Sequence, residues 1–200
     1  MNRRKFLSAS SLGLAALPTV APAQTAAKSA PGPALLTVTD VAVRANRGPL
    51  DPALDQMMHK QGIKFDKAHT FDFAAIAALP AVSIKPTLEY DARPHTLSGP
   101  LLSDVVTAAG APDMASARLL LRAVDGYAVV ISLADARKYR FIVATHLDGR
   151  PMPLGGLGPL WAVYDADRFP GMAAKPLNQR FTLCPWALYH IDVLSATPVA

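Results

Sequence analysis

Residues 153–161, with the sequence PLGGLGPLW, contain the densest group of glycines in the chain. Backbone amides left bare by Gly155, Gly156 and Gly158 can contact an anion such as a phosphate. A phosphate-binding P-loop also requires a lysine followed by serine or threonine, and this stretch has neither. The segment LWAVYD that follows is typical of a strand, so the loop does not begin a dinucleotide-binding helix. Two interpretations remain: an anion-contacting loop, or a glycine turn between two strands.

Asp125 and Tyr127 flank a glycine in the segment DGY, and Trp161 follows the glycine loop. A carboxylate, a phenol and an indole are suitable side chains for the wall of a small-ligand cleft, and Tyr164 and Trp186 could extend an apolar wall. Asp-Gly is equally typical of a hairpin turn, and large aromatic residues on strands usually belong to the core. The sequence leaves both interpretations open for these residues.

Metal and nucleophile chemistry have less support. The five histidines show no paired spacing of the HExxH type, so no metal site is predicted. Cys184 is the only cysteine, which excludes an intrachain disulfide, and its surroundings FTLCPWAL predict a buried and unreactive thiol. No GxSxG motif occurs, and no second carboxylate in the sequence is placed to pair with Glu89, the only glutamate. We therefore assign no catalytic residue.

The first residues, MNRRKFLSASSLGLAALPTVAPAQ, have the pattern of an export signal. A positive head at residues 3–5 precedes a mildly apolar run at 6–20, and Ala21-Pro22-Ala23 forms a small-residue cleavage site. The Arg-Arg pair followed by Phe-Leu is typical of twin-arginine signals, and the apolar run is shorter than the roughly 20 residues of a membrane-spanning helix. We expect residues 1–23 to be removed, leaving a periplasmic protein with no membrane span. The twin-arginine route exports folded proteins and is therefore compatible with a bound cofactor.

The signal segment accounts for much of the basic character of the chain. It holds three of the 20 basic residues and none of the 15 acidic ones, so the remainder has a formal net charge of +2, with 17 basic against 15 acidic residues. No basic stripe interleaved with aromatic residues remains, which argues against nucleic-acid binding. Residues 24–34 are small and rich in proline and alanine, as in a flexible leader. Residues 35–196 are long enough for one domain with a substantial core.

The elements that position these residues alternate irregularly along the chain. Apolar β-branched stretches predict strands at 35–43, 82–90, 117–124, 128–132, 140–147, 160–165 and 186–194, with Pro86 placing the second of them at a sheet edge or a bulge. Helical signals occur after Asp51, from Asp72 to Pro80, at 101–110 and after Ser132. Because strands and short helices do not alternate as βαβ units, we predict a single α+β domain with a mixed, largely antiparallel sheet.

From about residue 35 to 193 the chain resembles the molybdopterin-binding domain of the sulfite oxidase family. The resemblance rests on the segments LSGPLLSDVVTAAGA, DGYAVVISLADARKY, ATHLDGRPMP, GLGPLWAVYD and WALYHIDV, in this order. It is strongest to short, exported bacterial proteins described as oxidoreductase molybdopterin-binding domain proteins. The resemblance implies that fold, with the cofactor held near Asp125, Tyr127, Gly155–Gly158 and Trp161.

The chain departs from this family at two places. Where the family carries basic residues that hold the pterin phosphate, this sequence has Leu157-Gly158 and Pro159-Leu160-Trp161. The family's molybdenum-binding cysteine precedes the LSGPLLSDVV segment, and residues 24–98 contain no cysteine. Serine or threonine hydroxyls at 83, 87 or 98 are poor replacements for a soft thiolate, and Cys184 is not the equivalent residue.

Two functions therefore stay open. The first is an exported molybdopterin-dependent oxidoreductase that acts on a small periplasmic substrate. The second is a cofactor-free periplasmic module that uses the same fold to bind a small ligand or a redox or sensory partner. The fold alone does not decide between them.

Overall fold

Short strands and shorter helices make up the computed structural model, which describes residues 31–40, 42–111 and 116–194. The strands are β1 (Leu36–Thr39), β2 (His69–Phe71), β3 (Ala81–Ile84), β4 (Leu97–Pro100), β5 (Arg118–Ala123), β6 (Ala128–Ser132), β7 (Ile142–Ala144), β8 (His146–Leu147), β9 (Arg150–Pro151), β10 (Trp161–Val163) and β11 (Leu188–Leu194). The helices are α1 (Gln56–Lys60), α2 (Phe73–Ala77), α3 (Leu102–Ala108), α4 (Leu133–Lys138) and α5 (Pro170–Ala173). Short 3-10 turns occur at Ala166–Arg168 and Leu177–Gln179.

The largest sheet has the strand order β2-β1-β11-β5-β6. β11 pairs in parallel with β1 and antiparallel with β5, so it lies at the centre of this sheet. Its residues are mostly buried, as expected for a central strand covered on both faces. β5 alternates buried residues with more exposed ones, which is the pattern of a strand with one face in the core.

A smaller sheet and a strand pair complete the β-structure. Strands β3, β4, β8 and β9 pair in this order, while β7 pairs antiparallel with β10. β3 is an edge strand of its sheet, as Pro86 just beyond its end predicts. All residues of β7 and β10 are buried, so this pair lies inside the apolar core.

The helix starts follow from local capping. The Asp72 side chain accepts a hydrogen bond from the Ala75 amide at 2.7 Å and so caps α2. The Ser132 side chain caps α4 by accepting from the Asp135 amide at 2.9 Å. In α3, one apolar stripe enters the core, formed by Leu102, Val105 and Val106.

The prediction of an α+β fold with mixed sheets and short helices is confirmed. One local prediction, a single strand at 140–147, is wrong, and three strands, β2, β4 and β9, have no counterpart among the predicted ones. Residues 69–71 form β2, since pairing with β1 gives an extended conformation to a segment too short to show its own alternation. Residues 140–147 form two strands, because the chain leaves the pairing with β10 at Ala144 and joins β4 at His146.

The signal segment 1–23 and most of the 24–34 leader lie outside the described residues. Residues 31–34 have no regular structure and are exposed, with the Gly32 amide donating to the Asp72 carboxylate at 2.7 Å. In the part of the chain that the structure describes, no helix has the length and apolar character needed to cross a bilayer.

Candidate functional site

Three segments that are distant in sequence line a cavity of about 260 Å³, which we call the hairpin cavity. The segments are the loop after β3, the β5–β6 hairpin and the loop before β11. The lining residues are Glu89, Tyr90, Asp125, Tyr127, Asn178, Phe181, Thr182, Cys184 and Trp186. The cavity is of a size to take a small organic molecule.

The β5–β6 hairpin brings two of the predicted site residues into this cavity. The Asp125 carboxylate accepts a hydrogen bond from the Tyr127 amide at 2.9 Å, and Gly126 has a φ of 91°, as expected for a tight Asp-Gly turn. The Tyr127 hydroxyl donates a short hydrogen bond to the Thr182 carbonyl. The hairpin is therefore fastened to the opposite wall of the cavity through the tip of a tyrosine whose ring stays partly exposed.

Glu89 and Tyr90 form the second wall. Desolvation of the phenol, together with the negative charge of Glu89 and its hydrogen bond to the phenol, raises the pKa of Tyr90 to about 12. Tyr90 is thus a neutral hydrogen-bonding aromatic group throughout the physiological range. Its ring remains more than half exposed, at 56%, so it is available to a ligand in the cavity.

Cys184 lies at the base of the third wall and is 4% exposed. Burial raises the pKa of its thiol well above the ordinary value, so the group is protonated at neutral pH. Its carbonyl accepts a hydrogen bond from the Trp161 indole at 2.9 Å. The prediction of a buried thiol is confirmed, and a thiolate role in this environment is disfavoured.

The remaining predicted site residues do not line the hairpin cavity. Trp161 is fully buried on β10, so its side chain belongs to the core. Gly155 has a φ of 95°, and a Cβ atom on Gly158 would lie 2.5 Å from the Met152 carbonyl oxygen. These two positions therefore require glycine for the shape of the turn and for close packing, whereas a Cβ on Gly156 would make ordinary contacts at 3.7 Å. A ligand contact by this loop stays a prediction.

Sequence reasoning missed several members of the cavity. Tyr90, Asn178, Phe181 and Thr182 belong to loops with no recognisable motif, and they reach the cavity only through the tertiary fold. Trp186 was identifiable as a pocket candidate by its type alone. Nothing in the sequence indicates that it lies opposite the Asp125 turn.

The charged side chains that line the hairpin cavity are all acidic. Glu89 and Asp125 supply two carboxylates, and the lining includes no lysine, arginine or histidine. Neither carboxylate takes part in a salt bridge within residues 31–40, 42–111 and 116–194. The cavity is therefore suited to neutral or cationic ligands and unsuited to anionic ones.

The sequence matches no protein-family model, and no curated protein matches it either.

The residues that line the hairpin cavity do not fit a molybdenum–pterin cofactor. Its phosphate would meet two carboxylates without a cationic partner, and the only thiol of the cavity is buried and protonated. Of the alternative oxygen ligands, Ser98 lines a separate cavity of about 210 Å³ beside Thr145 and His146. Among the described residues, no group of three or more histidine, cysteine, aspartate or glutamate side chains is arranged to hold a metal ion.

Proposed function

We propose that this chain is an exported, periplasmic protein with a sulfite oxidase-like molybdopterin-domain fold that binds a small molecule in the hairpin cavity without a molybdenum cofactor. The observation that supports this proposal is the lining of the cavity, which has two carboxylates and four aromatic side chains but no basic residue. A pterin phosphate requires charge-assisted hydrogen bonds, whereas a small uncharged or cationic molecule does not.

The walls of the cavity have distinct roles in this proposal. The aromatic rings of Tyr90, Tyr127 and Trp186 supply contact area, because all three side chains remain more than one third exposed. Asn178 and the two carboxylates supply polar contacts that orient the ligand. The hydrogen bond from Tyr127 to Thr182 holds two walls together, so the site is formed before the ligand arrives.

A molybdopterin-dependent oxidoreductase is the second candidate. One observation favours it: Asp125 and Tyr127, which belong to a segment that carries the family resemblance, do line a cavity. When bound, the cofactor would supply the redox chemistry, and a periplasmic partner would exchange electrons with it. The absence of a suitable thiolate and of basic contacts places this candidate second.

The two candidates are separated by the content of protein purified from its own periplasm. We expect molybdenum and pterin at well below one equivalent per chain, even when the cells are grown with added molybdate. After denaturation, mass spectrometry of the released small molecules should instead detect a compound that is lost in Trp186→Ala. One molybdenum and one pterin per chain would refute the binding-module proposal.

A further inference from the structure

We infer that the ligand of the hairpin cavity is a small organic cation, of the substituted-ammonium type, held between aromatic faces and the Glu89 and Asp125 carboxylates. This inference rests on the proposed function and specifies the ligand class for the same site.

The first argument is charge. Glu89 and Asp125 come from opposite walls, and the described part of the chain offers neither of them a salt-bridge partner. One oxygen of Asp125 is used by the Tyr127 amide, and Glu89 interacts with the Tyr90 phenol. Both contacts are with neutral groups, and among the described residues neither carboxylate has a cationic side chain within salt-bridge distance. A cation between the walls would compensate both charges at once.

The second argument is the exposure of aromatic rings around this charge. Tyr90, Tyr127 and Trp186 are 56%, 45% and 37% exposed, and all three line the same cavity. Aromatic faces attract cations through the negative face of the ring, and several such rings in one site form the cage that binds alkylated ammonium groups. The Tyr127 ring is fixed by its hydrogen bond to Thr182, and fixed rings lose little entropy on binding.

Other ligand classes fit less well. An apolar neutral molecule would take water from Glu89 and Asp125 without replacing the lost hydrogen bonds. An anion would meet two like charges. A bare divalent ion prefers six or more oxygen ligands, and no group of three or more potential metal-binding side chains is arranged around an ion in the described residues. An organic cation satisfies both the carboxylates and the rings.

The test compares a cationic, a neutral and an anionic probe of similar size. The probes are choline, its neutral carbon isostere dimethylbutanol, and the anion dimethylbutyrate. Binding to the mature protein, from which the signal segment 1–23 has been removed, is measured by isothermal titration calorimetry at low ionic strength. We expect choline to bind at least tenfold more tightly than dimethylbutanol, with no binding of dimethylbutyrate. Added salt should weaken choline binding, since the attraction to partly exposed carboxylates is screened.

Matched variants assign the binding to this cavity. Glu89→Gln and Asp125→Asn remove one charge each with little change in shape, and each should weaken choline binding by about threefold to tenfold. Trp186→Leu should weaken it to a similar extent through the lost ring. Asp66→Asn removes the same charge from an exposed loop residue that does not line the cavity, and it should leave the affinity unchanged. Circular dichroism of each variant verifies that the fold is retained.

Each outcome decides a separate statement. Choline binding that depends on Glu89, Asp125 and Trp186 supports the inference. Equal binding of choline and dimethylbutanol overturns the cationic class but leaves a small-ligand site. No binding of any probe at millimolar concentration overturns the inference, and the molybdenum and pterin content then decides the proposed function independently. Choline affinity that is equally reduced in Asp66→Asn would reveal a general surface effect and also overturns the inference.

Discussion

Acid should destabilise this protein through one buried histidine, His190 on β11. The side chain is 1% exposed, and its Nε2 atom lies 3.1 Å from the Thr39 hydroxyl, which itself donates to the Asp192 carboxylate at 2.8 Å. The Nδ1 atom is buried without a hydrogen-bond partner among the described residues. Burial, and to a smaller extent the positive charge of Arg122, lowers the pKa of His190 to about 3. The imidazole is therefore neutral in the native protein.

The sign and size of the effect follow from proton linkage. In the unfolded chain a histidine binds a proton below its ordinary pKa of about 6.5, whereas native His190 stays neutral down to about pH 3. The free energy of unfolding is therefore unaffected by protonation of this histidine above pH 6.5, and it decreases as the pH falls from 6.5 towards 3. One pKa unit corresponds to about 1.4 kcal/mol. Protonation of His190 in the unfolded chain should therefore lower the free energy of unfolding by about 2 kcal/mol at pH 5 relative to pH 7.

The assay compares urea unfolding of the wild type and of His190→Gln at pH 7 and pH 5. Glutamine retains an amide donor for Thr39 but does not titrate, so the variant should lose about 2 kcal/mol less over this interval than the wild type. Its stability at pH 7 is expected to be lower by roughly 1–2 kcal/mol through altered packing, which does not affect the comparison. His59→Gln, on the exposed helix α1, is the matched control and should follow the wild-type pH dependence.

Parallel pH curves for the wild type and His190→Gln would refute this reasoning. Such a result would mean that native His190 gains its proton near the ordinary pKa, and thus that the Thr39–His190–Asp192 group opens to water. Nuclear magnetic resonance titration of the His190 ring in the native protein tests the same point directly. A native transition between pH 6 and 7 would show that burial does not control this residue.

Three further predictions address other parts of the chain. Cys184 should react with iodoacetamide much more slowly in the native than in the unfolded state, and fast native labelling would contradict its burial. Cys184→Ala should lower the free energy of unfolding in urea by roughly 1–2 kcal/mol. Gly158→Ala should lower the free energy of unfolding by roughly 1–3 kcal/mol because the added Cβ would collide with the Met152 backbone, whereas Gly156→Ala should leave it nearly unchanged. Equal losses of stability in the two variants would disprove the packing argument. Replacing both Arg3 and Arg4 with lysine should stop export, measured by cell fractionation, and unchanged export would exclude the twin-arginine route.

Local signals predicted those parts of the fold that depend on a few adjacent residues. The Asp125-Gly126 turn and the Ser132 cap are decided by side-chain and backbone groups within three positions, and both appear as expected. β2 was missed because its three residues become a strand only by pairing with β1, which lies about 30 positions earlier. Its sequence has no alternation long enough to detect.

The candidate site shows the same limit. Asp125 and Tyr127 were identifiable because a turn places them side by side, but the walls opposite them come from residues 89–90 and 178–186. No local pattern relates segments separated by such distances. Trp161 illustrates the converse problem, since the sequence does not show that every residue of β10 is buried in the core.

The burial of Trp161 also bears on how the fold relates to its proposed chemistry. The family resemblance places a basic pterin contact at this position, but the indole here is wholly buried and donates to the Cys184 carbonyl. An arginine at 161 would have to bury a guanidinium at a fully buried position beside the Phe181 ring, at a cost of several kcal/mol. At the position where the resemblance implies a cationic contact, this chain therefore has core packing. Cys184 lines the hairpin cavity and its carbonyl accepts the hydrogen bond from Trp161. The packing that excludes a basic residue at 161 therefore also shapes the base of the hairpin cavity.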